Sequence, residues 1–186
     1  MLENNSQIIK QREIVPDDWQ VLRLDEGQNA DTVEVPAGKI IVPLPVWTAQ
    51  KASLSARSPL GVWIASDERP ETLAGELDKF AVVAVDFPKF TDGRGYSIAY
   101  NLRMRLGYTG ELRAIGDVLR DQLFAMYRVG FNAFATRQDR SIEDALKGLT
   151  VFSEVYQTSV DQKLPLFRRH ERHVKVDASA DVGYGI

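Results

Sequence analysis

Two hydrophobic rhythms alternate along the chain. Short continuous apolar runs are followed by stretches whose apolar residues fall three and four apart. The first pattern predicts buried strands and the second amphipathic helices. Lys39-Ile40-Ile41-Val42-Pro43-Leu44 is the first such strand, closed by Pro43 and Pro45. Thr48 can cap a short helix to about Ala56. Residues 59–65 predict a second strand. Pro70 then suits a first helical turn, with Leu73, Ala74, Leu77 and Phe80 on one face. Residues 81–87 predict a third strand and residues 93–106 a helix striped by Ile98, Ala99, Leu102 and Leu106. Gly107 ends that helix. A fourth strand is predicted over 111–115. Asp117 is placed as N-cap of a helix over 118–129, which Gly130 stops. A fifth strand covers 131–136. Ser141 and Asp144 then open a helix whose face runs from Ile142 to Val155.

About five strand–helix units in succession imply an α/β fold with a parallel sheet and right-handed crossovers. Even spacing and monotonous order favour a partial barrel in which each strand lies beside its predecessor. An open doubly wound, flavodoxin-like sheet is the alternative. Before this series, Ile8-Ile9 and Ile14-Val15 are followed by Trp19 and Val21-Leu22, with a turn signal at Pro16-Asp17-Asp18. A small N-terminal β-hairpin or two edge strands are expected there. Residues 25–38 are acidic, contain Gly, Asn and Pro, and read as a loop.

The length of 186 residues suits one domain, drawn here at 1–157, with a tail over 158–186. The tail holds the basic cluster 168–175 and both histidines, His170 and His173. It reads either as a solvated tail or as an arm onto a partner or second subunit. A net charge of −3 argues against nucleic-acid binding. No apolar run approaches the ~20 residues of a membrane span, and Met1–Ser6 lacks the regions of a signal peptide. A cytoplasmic location is expected.

The absence of cysteine excludes disulfides, a catalytic thiol and thiolate-held zinc or iron–sulfur clusters. No histidine pair offers a metal ligand set, and no Walker or complete dinucleotide fingerprint is present. No cofactor is therefore expected. Candidate chemistry gathers where predicted strands end, the usual place for sites in α/β proteins. Lys89, Thr91, Asp92, Gly93 and Arg94 crowd one loop leading into a helix, an arrangement suited to a small anion. The same residues can also be read as an N-cap with solvated cations. Asp86, Arg113 and Asp117 are the candidate catalytic residues. If the third and fourth strands are neighbours, Asp86 and Arg113 can meet, as a site or as a structural ion pair.

The stretches Asp86-Phe87-Pro88-Lys89-Phe90-Thr91-Asp92-Gly93-Arg94 and 110–123, in that order, resemble a bacterial family, domain of unknown function 934. The resemblance covers about residues 15–157. Members of that family are described as oxidoreductases of sulfite reduction, on the strength of genes beside assimilatory sulfite reductase. The resemblance thus implies a process, sulfate assimilation, and a partner, the reductase. It transfers no catalytic residue. Sulfite reductase needs sirohaem and an iron–sulfur cluster, and this chain has no thiolate to ligate the cluster. Three expectations follow: an accessory protein that binds the reductase or a small oxyanion, an enzyme using the rim residues, or a homo-oligomeric scaffold.

Overall fold

A computed structural model of the chain describes residues 1–3 and 6–169. Its strands are β1 (Leu2–Glu3), β2 (Gln7–Lys10), β3 (Glu13–Pro16), β4 (Gln20–Leu22), β5 (Ile40–Pro43), β6 (Leu60–Ile64), β7 (Val82–Phe87), β8 (Glu111–Gly116) and β9 (Ala133–Phe134). They form one sheet in the order β1-β4-β5-β6-β7-β8-β9-β2-β3. From β4 to β9 all neighbours are parallel and follow chain order. The antiparallel β1 and the hairpin β2–β3 flank this series.

The connection from β3 to β4 requires the sheet to curl. These strands are seven places apart in the sheet, which is about 34 Å in a flat sheet at strand spacing. Only Asp17, Asp18 and Trp19 join Pro16 to Gln20, a reach of about 14 Å at most. The sheet bends until its two edges approach, giving the half-barrel favoured by the hydrophobic rhythm. The turn of the hairpin lies at Gln11 and Arg12, both with positive φ (50° and 69°), as a two-residue hairpin loop demands. Pro16-Asp17-Asp18 is instead the link between the sheet's edges.

The helices are shorter than their periodicity suggests. α1 (Leu44–Ala49) starts ahead of Thr48 because Pro45 fits its first turn, and α2 (Lys51–Leu54) follows directly. Residues 70–80 hold two 3-10 turns, Pro70–Leu73 and Leu77–Lys79, broken at Gly75 (φ 76°). Leu73, Leu77 and Phe80 are still buried. α3 spans Arg94–Met104 and α4 spans Leu123–Arg128. α5 (Ile142–Lys147) is capped as expected, Ser141 Oγ accepting the Asp144 N–H at 3.0 Å. Residues past 157 remain in contact with this body, since Val160 N–H donates to Arg128 O and Asp161 pairs with Arg128. His170, His173 and the rest of the basic cluster beyond Arg169 lie outside the described residues. Among the described residues, no helix is long and apolar enough to cross a membrane.

Strand alternation divides the interior in two. On the convex face Val83, Val85, Phe87, Leu112 and Ala114 pack under the helices in the main core. On the concave face Trp19, Val21, Ile41, Val82, Ala84 and Ile115 form a smaller cluster. Every β7 residue is buried because both faces are covered.

Candidate functional site

β7 and β8 pair in parallel with Ala84 opposite Arg113 and Asp86 opposite Ile115. Asp86, Glu111, Arg113 and Ile115 therefore share the concave face. Leu112 and Ala114 sit in the convex core, so the position of Arg113 within the strand turns its side chain inward. Arg113 and Asp86 do not pair with each other. The guanidinium of Arg113 is 1% exposed. Its Nη1 donates to both oxygens of Asp17 at 3.0 and 2.9 Å, and its Nε donates to Glu111 Oε1 at 2.8 Å. Lys10 Nζ closes the set 2.7 Å from Glu111 Oε2. Asp86 Oδ1 accepts from Arg23 Nη2 at 2.7 Å. The Arg23 guanidinium also lies 4.9 Å from the ring centroid of Trp63, whose Nε1–H donates to Leu22 O. The curl explains this choice of partners: it carries Asp17 and Arg23 across the opening, where they reach the two charged strands first.

Burial dominates the ionisation of Asp17 and pushes its carboxyl above the ordinary value, while Arg113 and the Trp19 N–H pull the other way.

Asp117 is not a helix cap. Its carboxylate accepts the Phe90 N–H at 2.8 Å and Arg137 Nη1 at 3.0 Å, and its own N–H donates to Phe87 O at 2.7 Å. Gln122 Nε2 donates to Phe90 O at 3.0 Å. The loop after β7 is thus stitched to the loop after β8, as adjacent strand ends allow. Gly116 makes this approach feasible: at φ 90°, a Cβ there would lie 2.5 Å from Phe87 O and 2.8 Å from Asp86 Oδ1.

In the loop of residues 88–95, Asp92 takes up the Arg94 guanidinium. Arg94 Nε and Nη2 donate to its two oxygens at 3.0 and 2.7 Å. Ser66 Oγ adds a bond at 2.8 Å and the Arg94 N–H another at 3.1 Å. The Arg94 and Ser66 bonds hold the Asp92 carboxyl well below the usual carboxylate range. Lys89, Thr91 and Gly93 stand exposed. The structure thus separates the sequence candidates. Asp86 and Arg113 face the barrel interior, Asp117 bridges two loops, and residues 89–94 lie on the outer rim.

The interior opens at the carboxyl ends of β8 and β9. A cavity of about 270 Å³ there is lined by Asp17, Trp19, Val21, Arg113, Ile115 and the 135–138 segment. An adjoining cavity of about 390 Å³ shares Thr136, Arg137 and Gln138 with it and adds Arg140. Sequence reasoning missed Asp17, Trp19 and the segment Thr136-Arg137-Gln138-Asp139-Arg140. The last had an available signal, because it follows the fifth strand as residues 88–95 follow the third.

No curated protein and no solved structure matches this chain. The family model described as a bacterial protein of unknown function (DUF934) matches residues 61–167, from within β6 to beyond α5. The match begins later than the resemblance read at 15–157 and extends past its end, so Asp17, Trp19 and Arg23 precede it. Because it spans more than half of the chain, this protein belongs to the DUF934 family.

Proposed function

We propose that the protein is a cytoplasmic accessory component of assimilatory sulfite reduction. In this reading it works by binding a small oxyanion or the reductase, with no turnover of its own. The observation that carries the binding part is the pairing of charges inside the barrel and along its rim. Arg23 is held by Asp86, Arg113 by Asp17 and Glu111, and Arg137 by Asp117 and Asp139. Groups locked in this way make fixed recognition elements. A general acid or base must exchange its proton freely during turnover. The pathway rests on the family resemblance. The lack of cysteine favours a place beside the reductase rather than in its stead.

Deletion of the gene tests the role. The expected result is impaired growth on sulfate as sole sulfur source, restored by sulfide, with the tagged protein co-purifying with the reductase. Normal sulfite reduction in the deletion strain would overturn it.

One observation favours a second reading, an enzyme. Asp17 is a buried carboxyl with a raised pKa that borders a cavity, a combination common at active sites. In that case Asp17→Asn would abolish sulfite-dependent growth while leaving co-purification intact. Under the binding reading the two would fall together.

A further inference from the structure

We propose that the two adjoining cavities at the mouth form one site for a compact organic oxyanion: a phosphate monoester or sulfonate on a short apolar body. This deepens the oxyanion part of the reading above and rests on it for the claim that the protein acts by binding.

The outer cavity takes the head group. Arg137 and Arg140 line it together with Ser6, Gln7 and Gln138, and among the described residues of its wall there is no carboxylate. Arg137 is fixed before any ligand arrives. Its Nε and Nη2 donate to Asp139 at 2.9 and 2.7 Å and its Nη1 to Asp117 at 3.0 Å. A guanidinium carries five N–H donors, so two remain for a ligand in a side chain that has already lost its rotamer freedom. Arg140 is exposed, with Nε 3.8 Å from Asp139 Oδ2, and can swing to meet an incoming charge. Paired guanidinium forks suit a tetrahedral or pyramidal oxyanion, with charge-assisted bonds.

The inner cavity takes the body. Trp19, Val21, Ile115 and Ala135 supply apolar wall, and the charges beside them, Asp17 and Arg113, are bonded to each other. A bare inorganic dianion would exchange water for indole and aliphatic surface there, at a desolvation cost. A small ring or short alkyl chain gains from the same surface. The strip Thr136-Arg137-Gln138 borders both cavities, so one ligand can span them.

The test uses the full-length protein with phenyl phosphate, benzenesulfonate, inorganic sulfate and phenol. Binding is followed by thermal shift and by tryptophan fluorescence, to which Trp19 contributes from the cavity wall. The aromatic oxyanions are expected to bind about tenfold more tightly than sulfate or phenol, and Arg140→Gln to weaken them about tenfold, the effect of losing one charge-assisted bond. Arg140→Lys should recover part of the loss. The stronger of the two aromatic probes identifies the head group. Sulfate binding as tightly as benzenesulfonate would overturn the proposal, as would an undiminished affinity in Arg140→Gln or no shift with any probe. Probe binding with a normal deletion strain would remove only the sulfite-reduction role. An impaired deletion strain without probe binding would remove only this site.

Discussion

Arg113 on β8 is clamped to Asp17 across the opening of the half-barrel, with Nη1 3.0 and 2.9 Å from the two carboxylate oxygens. Asp17 lies between β3 and β4, the strands at opposite sides of the curl. The pair therefore ties the closing link of the fold to the middle of the sheet. Removing one partner of a buried ion pair leaves an uncompensated charge, at about 3–5 kcal/mol. Among the described residues, Arg113→Ala leaves Asp17 without a cation, held only by the Trp19 N–H, and Glu111 with Lys10 alone, so a loss in that range is expected by urea denaturation. Asp17→Asn should cost less, because Glu111 still holds the guanidinium.

A second expectation concerns two glycines with positive φ. Gly107 has φ 70° and open space within 4 Å of where a Cβ would stand, whereas at Gly116 (φ 90°) a Cβ would meet Phe87 O at 2.5 Å. Gly107→Ala should cost only the left-handed backbone penalty, about 1–2 kcal/mol. Gly116→Ala should add about 1–3 kcal/mol of steric conflict and loosen the Asp117 N–H bond to Phe87 O. Melting temperatures of the two variants give the comparison, and equal losses would count against the close approach.

The Gly116 contact marks where sequence reading succeeds and where it stops. Continuous apolar runs place β5 to β7 because a strand covered on both faces has few other compositions. Helices are less legible: residues 70–80 have a helical face, yet Gly75 takes a positive φ and the segment folds as two 3-10 turns. An arginine inside a strand must find a partner, and Glu111 stands two residues before Arg113 on the same face, but its other partner, Asp17, lies 96 positions away. It is hidden in a Pro-Asp-Asp string that reads locally as a turn. Only the curl of the sheet brings Asp17 there, and curl is a property of the assembled strands. The separation of Arg94 from the interior is hidden for a similar reason, since Asp92 competes for it at short range.

Asp92 and Asp17 should bend the acid limb of stability in opposite directions. Folding depresses the pKa of Asp92 through its Arg94 and Ser66 hydrogen bonds. Its contribution is full above the unfolded value, about 3.9, and is lost as pH falls through the folded value. Folding raises the pKa of Asp17 through burial. Its contribution is full below the unfolded value and is lost as pH rises through the folded one. Between about pH 2 and 6, stability of Asp92→Asn should therefore rise less steeply with pH than wild type, and that of Asp17→Asn more steeply. Melting temperature against pH for the three proteins checks this, and parallel curves would contradict it.

Gly95, in the first turn of α3, sets propensity against packing. Replacing a helical glycine by alanine ordinarily stabilises by up to about 1 kcal/mol. Here a Cβ would fall 2.5 Å from Cζ of Phe87. That ring cannot easily retreat: it is fully buried, edge-on to Tyr96 at 5.6 Å and tilted against Phe131 at 5.8 Å. Overpacking of this kind costs about 1–3 kcal/mol, so Gly95→Ala should destabilise despite its better propensity. Phe87→Leu removes the obstructing ring atoms and should itself weaken the core. The double variant should then be more stable than the sum of the two losses implies, with a coupling of about 0.5–3 kcal/mol in a double-mutant cycle. Additive losses would mean that the helix can shift away from β7, and that the loop between them is positioned by its bonds to Asp117 and Gln122 rather than by this contact.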